Sequence, residues 1–184
     1  YLDGEYSFAV SLDCAVKYSL KAGKEISNVE LEEIKTESDR QEAFNLALKY
    51  LAKALKTKKQ VKDYLAKKGF SLDIIYKVID RLKELNFIND IEYAKRFAEY
   101  SSKSEGKRLS DYKLMQKGVS KNDIESARQN LTVDTMSTAY KLAEKRLKNK
   151  EITLELLSKT YRYLIGKGFS YEEVDSALKP FKEN

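Results

Sequence analysis

The chain has 184 residues, a net charge of +6, one cysteine, one proline and no histidine. The missing histidine removes the commonest general base and the commonest metal ligand, and a lone cysteine closes no disulfide within the chain. No apolar run approaches the ~18 residues of a membrane span, and 35% of the residues are charged. We therefore expect a helical protein of the cytoplasm with no catalytic residues, no metal and no cofactor.

The charge is distributed unevenly along the chain. Residues 1–48 carry 5 basic and 10 acidic side chains, a balance of −5, whereas residues 49–184 carry 30 basic and 19 acidic ones, a balance of +11. The excess of basic residues after residue 48 indicates that this part of the chain binds an anionic partner. A solvated lysine-rich surface without a ligand is the alternative that composition leaves open.

The N-terminal segment differs from the rest of the sequence. Residues 5–12, EYSFAVSL, alternate and are rich in aromatic and branched side chains, which predicts a strand. Asp3-Gly4 is a hairpin turn pair with only Tyr1 and Leu2 before it, so we expect the chain to begin within a hairpin whose other strand is missing.

Two short helices are expected to follow this strand. Asp13 is a suitable N-cap for the first, which Gly23 would end. Ser27 and Glu30 have the spacing of a capping box for the second.

From Asp39 onward the pattern is helical. The first helix has an apolar stripe formed by Phe44, Ala47, Leu48, Leu51 and Leu55. Thr57, with Gln60 at the capping-box position, starts the next helix, and Ser71 starts a third.

A tetrapeptide recurs three times, as KGFS at Lys68, KGVS at Lys117 and KGFS at Lys167. Counted from its glycine, four positions are apolar in every copy, which indicates an internal repeat of about 50 residues with three helices per unit. These positions are −4 (Leu65, Leu114, Leu164), +6 (Ile75, Ile124, Val174), +9 (Val78, Ala127, Ala177) and +13 (Leu82, Leu131, Phe181).

The tetrapeptide itself is typical of a joint between two helices. Glycine ends one helix in the left-handed conformation, the preceding lysine suits the helix C-terminus, and the serine caps the next helix. Asp123 and Glu173 would complete capping boxes with Ser120 and Ser170. A phosphate-binding loop would need more free backbone N–H groups than so tight a joint offers.

The predicted fold is mostly α, with three tandem three-helix repeats in an elongated curved array and a small N-terminal strand-plus-helix extension. The extension covers 1–38, with a partial β-hairpin and short helices. The repeats cover 39–89, 90–132 and 133–184.

Lysines recur on the first helices of the repeats. The pattern Ala47-x-Lys49-x-x-x-Lys53-x-Leu55-Lys56 recurs from Ala139, and counting from Ala94 gives Arg96, Tyr100 and Lys103 in the middle repeat. These positions form a polar stripe on each helix, and stacked repeats would align them. A merely solvated helix face is the alternative.

We predict that an anionic partner binds to a set of cations, with Tyr93, Tyr100 and Tyr112 as residues that either stack on nucleic-acid bases or belong to the core. The set is Lys49, Lys53, Lys56, Lys58, Lys59, Lys62, Arg96, Lys103, Lys107, Arg108, Lys141, Lys145 and Lys148.

Several stretches resemble the RecX family of recombinase regulators, of the Gram-positive type with an N-terminal extension. They are VIDRLKELNFINDIEYAKRFAEY (78–100), ALKYLAKALKTKKQVKDYLAKKG (47–69), SEGKRLSDYKLMQKGVSKNDI (104–124), YLIGKGFSYEEVDSAL (163–178) and DGEYSFAVSLDCAVKYSLKAGKEIS (3–27). Within the first, we expect Asn86 to take a left-handed conformation and Asp90 to cap the next helix.

The resemblance implies binding to the RecA filament on single-stranded DNA, with weaker binding to DNA alone, and makes the cations named above the candidate contacts. We expect the chain to be a monomer. It implies inhibition of strand exchange and of the linked ATPase and coprotease activities, in recombination, repair and the SOS response. A stand-alone helix-turn-helix DNA-binding module remains the main alternative. A carboxylate-based hydrolase built on Glu30, Glu32 and Glu33 is a third, although these residues fit a solvated helix face better.

Overall fold

The computed structural model describes Tyr1, residues 3–129 and residues 131–182. Within these residues the chain forms helices and no strand, so the mostly α prediction is confirmed. The helices are α1 (Leu12–Lys17), α2 (Asn28–Leu51), α3 (Lys58–Lys67), α4 (Leu72–Glu84), α5 (Asp90–Ser101), α6 (Lys107–Gln116), α7 (Lys121–Gln129), α8 (Thr135–Leu147), α9 (Leu154–Gly166) and α10 (Tyr171–Lys182). In this part of the chain no helix is long and apolar enough to cross a membrane.

The chain divides into two compact units, Tyr1–Asn89 and Asp90–Asn184. In unit 1, α2, α3 and α4 enclose one hydrophobic core. In unit 2, α5, α6 and α7 enclose a second core, and α8, α9 and α10 a third.

The strand predicted for residues 5–12 is wrong. Residues 6–11 have no regular structure, and Leu12 is the first residue of α1. The Asp3-Gly4 turn is present, with φ of 49° and 86°, whereas Leu2 lies outside the described residues. Alternation alone does not make a strand, because its backbone groups need a partner strand to pair with.

The predicted cap of α1 is also wrong. Ser11, not Asp13, is the N-cap, and its hydroxyl accepts a hydrogen bond from the Cys14 backbone N–H at 3.2 Å. Asp13 lies in the first turn, where its charge suits the helix dipole. The helix ends at Lys17, well before Gly23.

Helix α2 is one continuous helix of 24 residues. Ser27 caps it as predicted, but the expected short helix does not end before the first repeat begins. No glycine or proline interrupts residues 28–51, so the backbone has no reason to break. Cys14 of α1 is buried against this helix, next to the carbonyl of Ile34.

A three-residue ionic cluster joins the N-terminal segment to α2. Glu37 accepts hydrogen bonds from Lys17, at 3.1 Å, and from Arg40. Burial alone would raise the pKa of Glu37, but these two hydrogen bonds outweigh it and hold the pKa below its ordinary value. The hydrogen bond to Glu37 in turn raises the pKa of Lys17.

The repeat predicted from the tetrapeptides is confirmed in the cores. All nine residues at the −4, +6 and +9 positions are buried, and the +13 positions are buried in repeat 1 and half-buried in the other two. Each tetrapeptide joins the second and third helix of its repeat, and its glycine has a positive φ of 91°, 85° or 85°.

Most of the predicted caps are present. Thr57 and Gln60 form a complete capping box at α3, and Ser71 caps α4. Ser170 and Glu173 also form a complete box. At α7 the Ser120 hydroxyl accepts from the Asp123 backbone N–H, at 3.1 Å, and donates back to its carboxylate.

The junction between the units is close to the prediction. Asn86 is left-handed, with a φ of 57°. Helix α5 begins at Asp90 itself, so Asn89, rather than Asp90, stands immediately before the helix.

Candidate functional site

The predicted lysine stripe of repeat 1 lies only partly on a helix. Lys49 is in the last turn of α2, but α2 ends at Leu51, so Lys53 and Lys56 belong to the loop that follows. Leu55, predicted in the apolar stripe, is in the same loop and 47% exposed. These lysines still lie within a few residues of one another, but the strict helical spacing that motivated the stripe is absent.

Three further candidates lie on α3. Lys59 is 3.8 Å from the carboxylate of Asp63. Lys62 donates a 2.6 Å hydrogen bond to the hydroxyl of Tyr76 on α4 and lies 4.7 Å from the centre of its ring. This hydrogen bond lowers the pKa of Tyr76.

The first two residues of α3 and α6 are both cations. They are Lys58 and Lys59 in α3, and Lys107 and Arg108 in α6, at the same distance from their repeat's glycine. The first turn of each helix has no acidic residue. Because the N-terminal end of a helix carries a partial positive charge, cations there oppose stability. Two repeats thus place cations at a position where the helix dipole does not favour them.

The other cations of unit 2 fall on or beside α5 and α8. Arg96 is held by Glu92, 2.6 Å away, and this hydrogen bond lowers the pKa of Glu92. Lys103 follows the end of α5. Lys141 and Lys145 are exposed on α8, and Lys148 is its C-cap.

The buried alanines place the lysines of repeat 1 in a different register from the one that the sequence pattern indicated. The buried pairs are Ala43 and Ala47 in α2, Ala94 and Ala98 in α5, and Ala139 and Ala143 in α8. On this register Lys49 matches Tyr100 and Lys145, whereas Lys53 and Lys56 have no counterpart one turn further along α8. The equivalence of the middle and third repeats is unchanged.

Most of the candidate cations form no ion pair among the described residues. This group comprises Lys49, Lys53, Lys56, Lys103, Lys107, Arg108, Lys141, Lys145 and Lys148. Since carboxylates are plentiful in the chain, the lack of partners leaves these side chains available to an external anion.

The three tyrosines differ in exposure. Tyr93 is half-buried and packs on Phe97 in the core of repeat 2. Tyr100 is 75% exposed, and Tyr112 is 53% exposed with its hydroxyl held by Gln116. The latter two are therefore accessible to a ligand.

The sequence-based candidates omit one recurring feature, a lysine over an aromatic ring. The lysine of each tetrapeptide lies over such a ring: Lys68 over Tyr64, Lys117 over Phe97 and Lys167 over Tyr163, at 5.9, 5.8 and 5.7 Å from the centroids. In repeats 1 and 3 the sequence does indicate this contact, because a tyrosine stands four residues before the lysine and therefore on the same helix face.

No group of carboxylates, cysteines or histidines in the described parts of the chain is arranged to hold a metal ion. In the acidic cluster of α2, Glu30 pairs with Lys24 at 2.7 Å and Glu32 with Lys35 at 3.2 Å. These ion pairs support a solvated, salt-bridged helix face for the cluster.

The fold and the surface together define a helical repeat protein in which most of the candidate cations form no ion pair among the described residues. The family model of the first three-helix domain of RecX matches residues 43–82, and that of the third matches residues 133–178. Regulatory protein RecX of Clostridium tetani is 37% identical over 183 residues, covering 97% of this chain and 85% of the relative. That of Bacillus subtilis is 33% identical, covering 97% and 69%.

Solved structures show the same fold. The crystal structure of a regulatory protein RecX has a TM-score of 0.80 at 24% identity, covering 100% of this chain and 93% of that one. The RecX structure from Lactobacillus salivarius has a TM-score of 0.72 at 28% identity, covering 79% and 98%. The chain belongs to the RecX family of regulatory proteins.

Proposed function

We propose that this chain binds, as a monomer, to the RecA filament on single-stranded DNA and inhibits its recombinase, ATPase and coprotease activities. The observation that carries the proposal is the pair of cations at the start of α3 and of α6. Cations at these positions oppose the helix dipole, and an anion bound there would offset that cost.

The relatives support a regulatory role, since they are named regulatory proteins and their names indicate no catalytic activity. The unpaired cations of both units supply positive charge that can meet DNA phosphate and acidic protein surface together. The proposed contact residues are the thirteen predicted cations, and the cations at the helix starts are Lys58 and Lys59 in unit 1 and Lys107 and Arg108 in unit 2.

A titration of the chain into preformed RecA filaments on single-stranded DNA tests the proposal. ATP hydrolysis should fall as the chain is added, and more chain should be required at higher salt, because phosphate contacts weaken with salt. Unchanged hydrolysis at saturating chain, with binding shown by co-sedimentation, would exclude inhibition. Absence of co-sedimentation at low salt would exclude filament binding altogether.

Charge reversal checks which surface is used. Lys49→Glu, Lys53→Glu and Lys56→Glu together should weaken inhibition, whereas reversal of Lys159 and Lys182, which are paired with Glu155 and Asp175, should change it little. Equal inhibition by all the variants would mean that the end of α2 and the loop after it are only solvated.

The three-helix repeats also fit a DNA-binding module that acts alone. Such a module would bind naked duplex DNA tightly and with sequence preference. The filament proposal instead expects modest binding to naked DNA and tighter binding to the RecA-coated strand, so one competition assay distinguishes the two.

A further inference from the structure

Repeats 1 and 3 contain the same type of cluster, in which two cations lie beside tyrosine rings. In repeat 3 the guanidinium of Arg146 is 4.7 Å and Lys167 Nζ is 5.7 Å from the centroid of Tyr163. In repeat 1 the ring of Tyr50 stacks on that of Tyr64, with centroids 4.3 Å apart and planes at 9°. Lys56 lies 4.9 Å from the Tyr50 centroid, and Lys68 5.9 Å from that of Tyr64.

The two clusters occupy equivalent places in their repeats. Lys68 and Lys167 each precede the joint glycine, and the tyrosine lies four residues before each of them. Tyr50 and Arg146 each follow the second buried alanine of the first helix by three residues. Each repeat therefore has the joint lysine and one further cation in its cluster. The further cation is Arg146 in repeat 3, whereas in repeat 1 it is Lys56, which lies over the ring of Tyr50.

The helix dipole favours Lys68, Arg146 and Lys167, which lie at helix C-termini, but it does not account for the grouping of cations around tyrosine rings. None of the four forms an ion pair within the part of the chain that the structure describes, and the Nε atom of Arg146 is buried without a hydrogen-bond partner. Elsewhere in unit 2, cations of comparable burial do have carboxylate partners, as Arg128 has Asp111 and Lys113 has Glu105. In repeat 3 the two like charges share one ring and repel each other, and an anion between them would relieve that repulsion.

We propose that each cluster binds the phosphodiester backbone of single-stranded DNA, with one phosphate contact per cation. The tyrosine rings hold the cations in place through cation–π contacts. The guanidinium adds the planar pair of donors that suits phosphate oxygens. The inference deepens the proposed function and rests on it, since the phosphates are those of the strand within the filament.

The test uses the full chain, a fluorescein-labelled oligothymidylate and fluorescence anisotropy over a series of salt concentrations. Arg146→Gln with Lys167→Gln should weaken binding and reduce the slope of log K against log salt by about 1.4, because each lost phosphate contact contributes about 0.7 on single strands. The matched control, Lys159→Gln with Lys182→Gln, removes the same charge from cations that have carboxylate partners and should change the slope far less.

A second pair of variants covers repeat 1, where Lys68 is exposed and its loss is compatible with folding. Lys56→Gln with Lys68→Gln should reduce the slope by the same amount, and thermal unfolding followed by circular dichroism shows that each variant is folded. Equal effects of test and control variants would overturn the inference, because binding would then depend on net charge alone.

An additional assay with RecA filaments distinguishes failure of this inference from failure of the proposed function. If wild-type chain leaves RecA ATP hydrolysis unchanged but the variants lose oligothymidylate binding, the clusters bind DNA and the proposed function is wrong. If inhibition weakens in the variants while oligothymidylate binding keeps its affinity and slope, the clusters contact protein, and the phosphate inference is overturned.

Discussion

Gly106 and Gly168 lie in direct backbone contact within unit 2, although 61 residues lie between them in the sequence. The Gly106 N–H donates to the Lys167 carbonyl at 2.9 Å, and the Arg108 N–H donates to the Gly168 carbonyl at 3.1 Å. The third tetrapeptide therefore does more than end a helix, because its carbonyls accept hydrogen bonds from the N-cap and from the second residue of α6, whose N-cap has no side-chain acceptor. This contact joins repeats 2 and 3 within one unit.

Gly168→Ala should therefore destabilise unit 2 strongly. A Cβ at this position would overlap the backbone of Leu109, and the φ of 85° is already unfavourable for alanine. We expect a loss of at least about 3 kcal/mol in the free energy of unfolding, measured by urea denaturation, because strain and overlap add.

Gly69→Ala in repeat 1 is the matched control. Its φ of 91° is similar, but a Cβ there would meet nothing within 4 Å. It should cost only the strain of the left-handed conformation, about 1–2 kcal/mol. Equal losses for the two variants would show that the contact between Gly106 and Gly168 contributes nothing to stability.

Local features of this fold were predictable from the sequence, and contacts between distant residues were not. The caps at Thr57, Ser71 and Ser170 and the left-handed Asn86 each depend on a few neighbouring residues, so their spacing revealed them. The contact of Gly106 with Gly168 depends on how repeat 2 packs on repeat 3, and the residues next to each glycine give no sign of it.

The wrong predictions have a common physical cause, which is that a local pattern has more than one solution. Ser11 and Asp13 both suit an N-cap, and the chain uses the first. The alternating residues 5–12 suit a strand only if another strand pairs with them. For the binding surface, the sequence indicated the cations, but only the structure showed that Arg146 and Lys167 share the ring of Tyr163.

The ionic cluster of Glu37 should make unit 1 sensitive to acid. Because the pKa of Glu37 is lowered in the folded chain, its contribution to stability is present above the pKa of the unfolded state and is lost as the pH falls through the folded value. Glu37→Gln should cost about 1 kcal/mol at neutral pH, and the difference from wild type should disappear once the pH falls below the folded pKa of Glu37, which lies under the ordinary glutamate value.

Thermal unfolding of both chains across this pH range is the measurement. Glu32→Gln on the same helix is the control, since Glu32 is exposed and pairs with Lys35 in the usual way of a surface salt bridge. It should change stability by less than about 0.5 kcal/mol. A difference for Glu37→Gln that persists at low pH would mean that shape, not charge, accounts for the loss.

A buried polar network stabilises repeat 2. Arg128, whose side chain is 12% exposed, donates to Asp111 through Nε and Nη2 at 3.1 and 2.6 Å and to the Ser110 hydroxyl at 3.1 Å. Ser110 in turn bonds Ser101 at 2.7 Å. Asp111→Ala should cost about 2–3 kcal/mol in urea denaturation, because it leaves a nearly buried guanidinium without its counter-charge.

A double-mutant cycle with Arg128→Met separates pairing from packing. The double variant should be less destabilised than the sum of the single variants, since removing both partners leaves no unpaired charge. Strict additivity would show that the two side chains do not interact. Glu155→Ala, which breaks the exposed pair with Lys159, should change stability by less than about 0.5 kcal/mol.

The cation at the start of α6 leads to a prediction in which stability and function change in opposite directions. Lys107→Glu places a negative charge at the positive end of the helix dipole, so the free energy of unfolding should rise by about 0.5–1 kcal/mol. The same variant should weaken filament binding and inhibition, because a phosphate contact is replaced by repulsion.

Lys121→Glu is the control: Lys121 is also the first, exposed residue of a unit 2 helix, but it is not among the proposed contact residues. It should gain stability by a similar amount and inhibit as wild type does. If both variants inhibit equally, the cations of α6 have no role in binding, and the placement of cations at helix starts no longer supports the proposed function.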